Sequence, residues 1–234
     1  MPKRPEASII IPTYRRPAVL EKCLESIRAS SFTNYEIIID GEVGELAQVR
    51  NRAAKRASGK YLVFIDDDTT VTERWLQGIV ETFRQSKDIG GVSGPCPVRD
   101  RSTRDIFRFK FVKWLYDQLF CGGRHLLPGH ITKSGAWTTG ASLESCNYEG
   151  PVDFLEACNM AFRADLFHKI RGFDETYRGV GDWSEPDLSF RIRQLGYRLW
   201  FTPKAKLYHN PSRTGAFTKR TTDGRNRLTN YYLF

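Results

Sequence analysis

Two common phosphate-binding motifs are missing from this sequence. Neither G-x-G-x-x-G nor G-x-x-x-x-G-K-[ST] occurs in its 234 residues. Both motifs use glycines to bring backbone N–H groups against phosphates at a helix start. A dinucleotide site of the usual Rossmann kind and a P-loop are therefore both disfavoured, and hydride transfer and ATP hydrolysis with them.

Cysteine pairs and long hydrophobic runs are also lacking. No C-x-x-C pair occurs among the five cysteines, and no stretch approaches the ~20 apolar residues that a spanning helix needs. The N-terminal MPKRPEAS has no apolar signal region behind its charges. We therefore expect a cytoplasmic protein without a zinc site, a full disulfide framework or a spanning helix. The cysteines are Cys23, Cys96, Cys121, Cys146 and Cys158.

Positive charge, in contrast, is in excess. The chain has 36 Lys and Arg against 27 Asp and Glu, for a formal net charge of +9. Such an excess favours an anionic partner. Nucleic acid, a nucleotide diphosphate and anionic lipid all remain open at this point.

The hydrophobic pattern predicts a single α/β domain. Residues 8–12 and 35–40 are β-branched runs, and apolar residues between them recur at helical spacing from Pro17. This strand, helix, strand order has the size of a βαβ unit. A helical pattern within 41–58 and a third strand at 61–65 follow.

The second half of the chain has weaker signals. We expect a helix after Thr72, which would cap it, a helix from Asp187 to Leu195, and short strands at 197–202 and 205–209. The segment 105–120 is rich in aromatic residues. It is interpreted either as a membrane-surface helix or as a buried helix beneath an acceptor loop.

Three consecutive aspartates, Asp66, Asp67 and Asp68, follow the third strand. Crowded carboxylates repel one another unless a cation neutralises them, and Mg²⁺ or Mn²⁺ binds through carboxylates plus substrate phosphates. Strand geometry points Asp66 and Asp68 to the same side. The alternative is an acidic turn that caps the next helix.

Three other positions are candidates for chemistry. Tyr14 and Asp40 follow the first two strands and suit a nucleotide held at strand ends, although a polar turn explains Tyr14 equally well. Glu185 precedes a proline at a helix start and suits a cleft, whereas helix capping is its structural alternative. His209 is a strand-end imidazole, which is more often a surface or packing residue than a metal ligand.

Eight short motifs in this order resemble family 2 glycosyltransferases across nearly the whole chain. The nucleotide-binding half of that family is similar to Ile9-Ile10-Ile11-Pro12-Thr13-Tyr14, Glu36-Ile37-Ile38-Ile39-Asp40, Leu46-Ala47-Gln48-Val49-Arg50-Asn51 and Phe64-Ile65-Asp66-Asp67-Asp68. The acceptor half is similar to Asn159-Met160-Ala161-Phe162-Arg163, Gly172-Phe173-Asp174-Glu175, Ser184-Glu185-Pro186-Asp187-Leu188 and Tyr208-His209.

The resemblance implies a GT-A fold, which is a Rossmann-like α/β fold with a mixed central sheet flanked by helices. It also implies one catalytic domain over 1–234, with a nucleotide-sugar half at 1–100 and an acceptor half at 101–234. Asp68 and His209 would bind Mn²⁺ or Mg²⁺, and Glu185 would be the catalytic base, with Asp182 as the alternative. The nucleotide-sugar contacts would be Pro12, Tyr14, Arg16, Asp40, Arg50, Asp66 and Asp67.

The sequence departs from the family in three ways. Glu185 replaces the usual aspartate base, and Ser184 replaces the usual preceding glutamate. A segment of about 30 residues, the bulk of a βαβ crossover, is missing after Asp40, so we expect the strands on either side not to lie parallel in one sheet. The QxxRW motif of processive synthases is not found after His209, which favours transfer of single sugars.

These observations predict an inverting, metal-dependent glycosyltransferase. Its donor is a UDP- or GDP-linked sugar and its acceptor is a glycan or a polyprenyl-linked glycan, with peripheral contact at the cytoplasmic face of a membrane. Nucleic acid is not an expected partner. The alternatives are a noncatalytic module that binds nucleotide sugar and a nucleic-acid-binding domain, the latter suggested by Lys219, Arg220, Arg225 and Arg227.

Overall fold

In the part of the chain that it describes, the computed structural model has nine strands and five α-helices with defined bounds, and residues 111–112 and 114–116 are also helical. The described residues are 4–99, 111–112, 114–124, 126–133, 137–138, 140–179, 181–211, 226 and 229–230. Most of the aromatic segment's first half (105–110) and the four basic residues at 219, 220, 225 and 227 lie outside them. A short π-helical turn (Asp117–Cys121) and a 3₁₀ turn (Gly140–Ser142) are also present.

Strands and helices alternate through the first half of the chain except at β3 and β4, which follow one another directly. The strands are β1 Ala7–Pro12, β2 Tyr35–Asp40, β3 Tyr61–Ile65, β4 Thr69–Val71, β5 Ile89–Ser93, β6 Gly150–Val152, β7 Asn159–Arg163, β8 Arg198–Phe201 and β9 Leu207–His209. The helices are α1 Pro17–Arg28, α2 Leu46–Ala54, α3 Trp75–Gln85, α4 Ala164–Lys169 and α5 Ser184–Gln194.

Seven of the strands form one mixed sheet in the order β2-β1-β3-β7-β5-β8-β6. β1 pairs in parallel with both β2 and β3, while β7 lies antiparallel between β3 and β5. Strands from both predicted halves of the chain therefore share this sheet. The division near residue 100 stays a prediction.

Alternate residues of the central strands supply two hydrophobic cores, one on each face of the sheet. Ile9 and Val63 point to the core that also contains Trp75 and Phe83 of α3. Ile10 and the other face of β3 point to the core that includes residues of α2, α4 and α5. The period of two along each strand thus explains why helices cover both faces.

The expectation about the short connection after Asp40 is wrong. β2 and β3 do lie parallel in one sheet, because β1 lies between them and each pairs with it. The chain between them contains α2 and crosses over β1 on one face of the sheet. A single nine-residue helix is enough for this crossover.

Two helix starts also differ from the prediction. α5 begins at Ser184 and not at Asp187, so Glu185 lies in its first turn. The residue that caps α3 is Arg74, which makes no side-chain cap hydrogen bond. Thr72 instead donates its hydroxyl hydrogen bond to the Lys206 carbonyl oxygen, at 2.8 Å.

Candidate functional site

The carboxyl end of β3 meets a small ribbon made of β4 and β9. Thr69 pairs with His209 in this ribbon, so the imidazole is brought beside the aspartates that precede β4. Ligand atoms of Asp66, Asp68 and His209 lie within 4.8 Å of one another. His209 Nε2 is 3.2 Å from Asp68 Oδ1. The residues that the sequence assigned to the cation are therefore brought together although His209 is far from the two aspartates in the sequence.

This group of three side chains fits a divalent cation. Two carboxylates suit Mg²⁺ or Mn²⁺, and an imidazole nitrogen can complete such a set. Three protein ligands leave coordination positions for the oxygens of a diphosphate. The same side chains therefore suit a cation that also contacts the donor.

Asp67 points away from this group and into the protein. Its side chain is fully buried, and it accepts hydrogen bonds from the Thr13 hydroxyl at 2.6 Å and from Arg16 Nε at 3.0 Å. Burial raises the pKa of Asp67, and these two contacts oppose the rise. Arg16 also reaches Asp68, with Nη1 to Oδ2 at 3.2 Å. Arg16 thus contacts both Asp67 and Asp68.

A buried arginine connects the aspartates to the predicted base. Arg50 of α2 is 1% exposed, and its Nη1 lies 2.6 Å from Glu185 Oε1. Its Nη2 lies 3.6 Å from Asp66 Oδ1. The guanidinium also stacks over Phe173, with 5.4 Å to the ring centroid. Burial raises the pKa of Glu185, and the charge and hydrogen bond of Arg50 oppose that rise.

The predicted nucleotide contacts at the first two strands also lie together. Pro12 pairs with Asp40 in register, and the Thr13 N–H donates to the Asp40 carbonyl oxygen at 2.9 Å. Tyr14 follows at once and is partly exposed, with the Arg15 guanidinium over its ring at 5.1 Å. The turn after β1 and the end of β2 therefore form one edge of the site.

Arg52, which was not among the predicted site residues, is also part of this edge. Its guanidinium binds both carboxylate oxygens of Asp40, at 2.9 Å and 2.5 Å, and Arg56 adds a third contact at 3.3 Å. Burial raises the pKa of Asp40, but the hydrogen bonds from Arg52 and from the Glu42 N–H outweigh it and lower the pKa. The four-residue spacing of the two arginines was the signal that could have indicated a shared face.

Known proteins resemble the chain over most of its length. The O-antigen biosynthesis protein RfbC of Myxococcus xanthus is 23% identical over 89% of this chain and 17% of its own length. The glucosyl-dolichyl phosphate glucuronosyltransferase of Haloferax volcanii is 21% identical over 87% of this chain and 69% of its own length. The chain thus spans less than a fifth of the first relative.

A solved structure shows the same fold. The mannosyltransferase PcManGT from Pyrobaculum calidifontis, in complex with GDP-Man and Mn²⁺, superimposes with a TM-score of 0.62. The match has 17% identity and covers 99% of this chain and 64% of the other. Together with the mixed seven-stranded sheet, this likeness confirms the predicted GT-A fold.

The eight motifs, the fold and a family model therefore lead to one family. The model's match is divided at Gly41, directly after the position where the sequence is predicted to lack a segment. Because the model of glycosyl transferase family 2 matches residues 8–40 and 42–171, well over half of the sequence, the chain belongs to that family.

Proposed function

We propose that this chain transfers one sugar from a UDP- or GDP-linked donor to an acceptor hydroxyl, with inversion at the anomeric carbon. The observation that carries the proposal is the continuous line of charged side chains across the site. It runs from the Asp66, Asp68 and His209 group through buried Arg50 to buried Glu185. A cation-binding end and a base-bearing end are what inverting transfer needs.

Each residue has a proposed task. Pro12, Tyr14 and Asp40 hold the base and ribose, and Arg16 fixes the direction of Asp67 and Asp68. Asp68 and His209 hold Mn²⁺ or Mg²⁺, with Asp66 on the cation or the ribose. The cation, when bound, supplies positive charge that stabilises the departing diphosphate. Glu185 takes the proton from the acceptor hydroxyl, which attacks from the face opposite the leaving group.

Arg50 supports both ends of this arrangement. With 1% of its surface exposed, it keeps a full positive charge close to Asp66 and Glu185. That charge favours the ionised form of Glu185, against the effect of burial. The base is therefore kept available for proton transfer.

We propose a lipid-linked glycan as the acceptor, used at a membrane surface. Support comes from the dolichyl phosphate in the name of the Haloferax relative. Further support comes from large apolar side chains that are exposed in and after the aromatic segment. They are Phe111, Val112, Trp114, Leu115, Leu119, Phe120 and Leu126. Their exposure argues against the alternative of a buried helix. In the described residues, no helix is both long and apolar enough to cross a bilayer.

A thermal-shift screen tests the proposed donor and cation. UDP-, GDP- and dTDP-sugars are added with Mn²⁺, with Mg²⁺ or with EDTA. A donor at 100 times its Kd stabilises the native state by about 2.7 kcal/mol, which for this chain length raises Tm by roughly 5–10 °C. We expect this rise with a divalent cation and its loss in EDTA.

Two variants test whether the cation-dependent rise in Tm requires Asp68. Asp68→Asn should abolish the cation-dependent rise, whereas Glu25→Gln, which removes one exposed charge from α1, should not. An unchanged rise in EDTA would show that the cation role of Asp68 and His209 is wrong. Donor binding without turnover across a broad acceptor panel would favour a noncatalytic module. Tight binding of single-stranded or duplex nucleic acid without nucleotide sugar would favour the nucleic-acid alternative.

A further inference from the structure

Trp183 has a backbone conformation that is unusual for a bulky residue. Its φ of 80° and ψ of −13° lie in the left-handed region, directly before α5 begins. Such a conformation is strained for tryptophan, whereas glycine adopts it freely. Trp183 makes no side-chain cap hydrogen bond to the helix. Helix capping therefore does not explain why tryptophan stands here.

The surrounding backbone maintains this conformation. The Ser184 N–H donates to the Gly181 carbonyl oxygen at 2.8 Å, and the Asp187 N–H donates to the Trp183 carbonyl oxygen at 3.0 Å. Gly181 itself has a φ of 71°. These hydrogen bonds hold the backbone at Trp183 in place and so limit the direction of its indole ring. Glu185 lies two residues after Trp183. Strained positions that are held in this way cluster at binding and catalytic sites.

The indole of Trp183 meets a second tryptophan. The ring centroids of Trp137 and Trp183 are 4.3 Å apart, with an angle of 48° between the ring planes. The backbone of Trp137 is fixed by its amide N–H, which donates to the Tyr116 hydroxyl at 3.1 Å, and by a β-bridge to Ile131. Both indoles are partly exposed. They form a preorganised aromatic surface at the start of α5, the helix that carries the proposed base in its first turn.

We propose that Trp137 and Trp183 form a subsite for a pyranose ring of the acceptor. A pyranose presents C–H groups on its face and hydroxyls at its rim, so it can lie against an aromatic surface while its hydroxyls stay free for polar contacts. An acyclic polyol has no such rigid face. The acceptor class is therefore a cyclic sugar, and this inference rests on the proposed function.

Ligand-observed saturation-transfer NMR on the whole chain, with UDP or GDP and Mn²⁺ present, tests the subsite. The probes are methyl pyranosides of glucose, galactose, mannose and N-acetylglucosamine, with sorbitol and ribitol as acyclic controls. We expect saturation of the ring C–H protons of at least one pyranoside, and at least tenfold weaker binding of both polyols. Equal binding of polyols and pyranosides, or no pyranoside binding, would overturn the proposal.

Substitutions at Trp183 and Trp137 test whether the two indoles are responsible for pyranoside binding. Trp183→Gly removes the ring and also the strain, so it should weaken pyranoside binding at least tenfold without lowering the affinity for nucleotide and Mn²⁺. Trp137→Ala should act in the same direction, and Trp183→Phe should keep most of the binding. Trp200→Phe, in β8, is the control and should bind as the unmodified chain does.

Different results would refute the pyranose subsite and the proposed function. Pyranoside affinity within twofold of the unmodified chain in both Trp183→Gly and Trp137→Ala would refute the subsite, even with the donor bound normally. Absence of nucleotide and Mn²⁺ binding by the unmodified chain would instead refute the proposed function. The comparison of pyranosides with polyols uses the unmodified chain, so it decides the question even if one variant fails to fold.

Discussion

Asp66 and Asp68 lie together beside His209 although neither is in a strand, because β3 ends at Ile65 and a turn at Asp67 and Asp68 leads into β4. The strand alternation that predicted a shared side for the two carboxylates therefore does not explain their position. The contact of Arg50 with Glu185 joins residues 135 positions apart, so no local pattern could indicate it. For the same reason the sequence did not show that Asp67 turns inward to Arg16, because only the packed turn after β1 provides that partner.

Glu185→Gln should abolish most of the turnover. The amide keeps the size of the side chain but cannot accept the proton of the acceptor hydroxyl, and a lost general base typically costs about 10²–10⁴-fold in rate. Donor affinity should change little, because Glu185 contacts Arg50 and not the cation group. Single-turnover kinetics with saturating donor, together with nucleotide-sugar binding, measure the two effects separately.

Asp182→Asn is the matched control for this change. It should leave turnover near normal, and the opposite result would transfer the base to Asp182. The pH profile is a second check. Burial raises the pKa of Glu185, and a base acts only when ionised, so activity should fall at a less acidic pH than an ordinary glutamate would give. Normal turnover in both variants would refute the assigned base.

At the scale of elements, the sequence predicted the strands and helices better than their arrangement. Hydrophobic runs at 8–12, 35–40 and 61–65 all became strands of the main sheet. β4, β5, β6, β7 and α4 were not predicted. β4 in particular has only three residues after an acidic turn, too few to show a period. The antiparallel insertion of β7 between β3 and β5 depends on contacts such as that of Asn159 with the Gly94 carbonyl oxygen, at 3.0 Å.

The end of β5 supports the ribbon that carries His209. The Leu207 and His209 N–H groups donate to the carbonyl oxygens of Pro95 and Pro97, each at 3.0 Å. A Cβ atom at Gly94 would lie 2.2 Å from the Ala205 carbonyl oxygen. Because that neighbour is backbone, any side chain at 94 must displace the chain that leads into β9.

Gly94→Ala should therefore weaken both the fold and the cation site. Overpacking of this kind costs about 1–3 kcal/mol, and each kcal/mol lowers Tm by roughly 2–4 °C in a chain of this size. Mn²⁺ binding should weaken as His209 moves. Gly44→Ala is the control, because its Cβ would meet Val49 at an ordinary 3.4 Å. Equal melting temperatures for the two variants would contradict the packing argument.

At the scale of the whole molecule, charge and exposed apolar surface act together. In the proposed membrane role, the net charge of +9 would favour an anionic bilayer, where each Lys or Arg near the surface contributes about 1 kcal/mol. Charge alone binds reversibly and is screened by salt. Apolar side chains that enter the headgroup region would add binding that salt does not remove.

Sedimentation with phosphatidylglycerol vesicles should therefore detect both a salt-sensitive and a salt-resistant part of the binding. We expect the unmodified chain to bind strongly at low salt and to keep part of that binding at high salt, with little binding to neutral phosphatidylcholine vesicles. A variant with Phe111, Trp114, Leu119 and Phe120 all changed to serine should lose the salt-resistant part, because these side chains supply the exposed apolar surface.

Val43→Ser is the control for that experiment, because it removes an apolar side chain that is 78% exposed between β2 and α2, outside the aromatic segment. It should bind vesicles as the unmodified chain does. Activity on a polyprenyl-linked acceptor in vesicles should fall with the fourfold variant, while activity on a soluble glycoside should not, since neither Glu185 nor the cation group is altered. Good activity on soluble sugars together with no binding to anionic vesicles would show that the membrane surface plays no part.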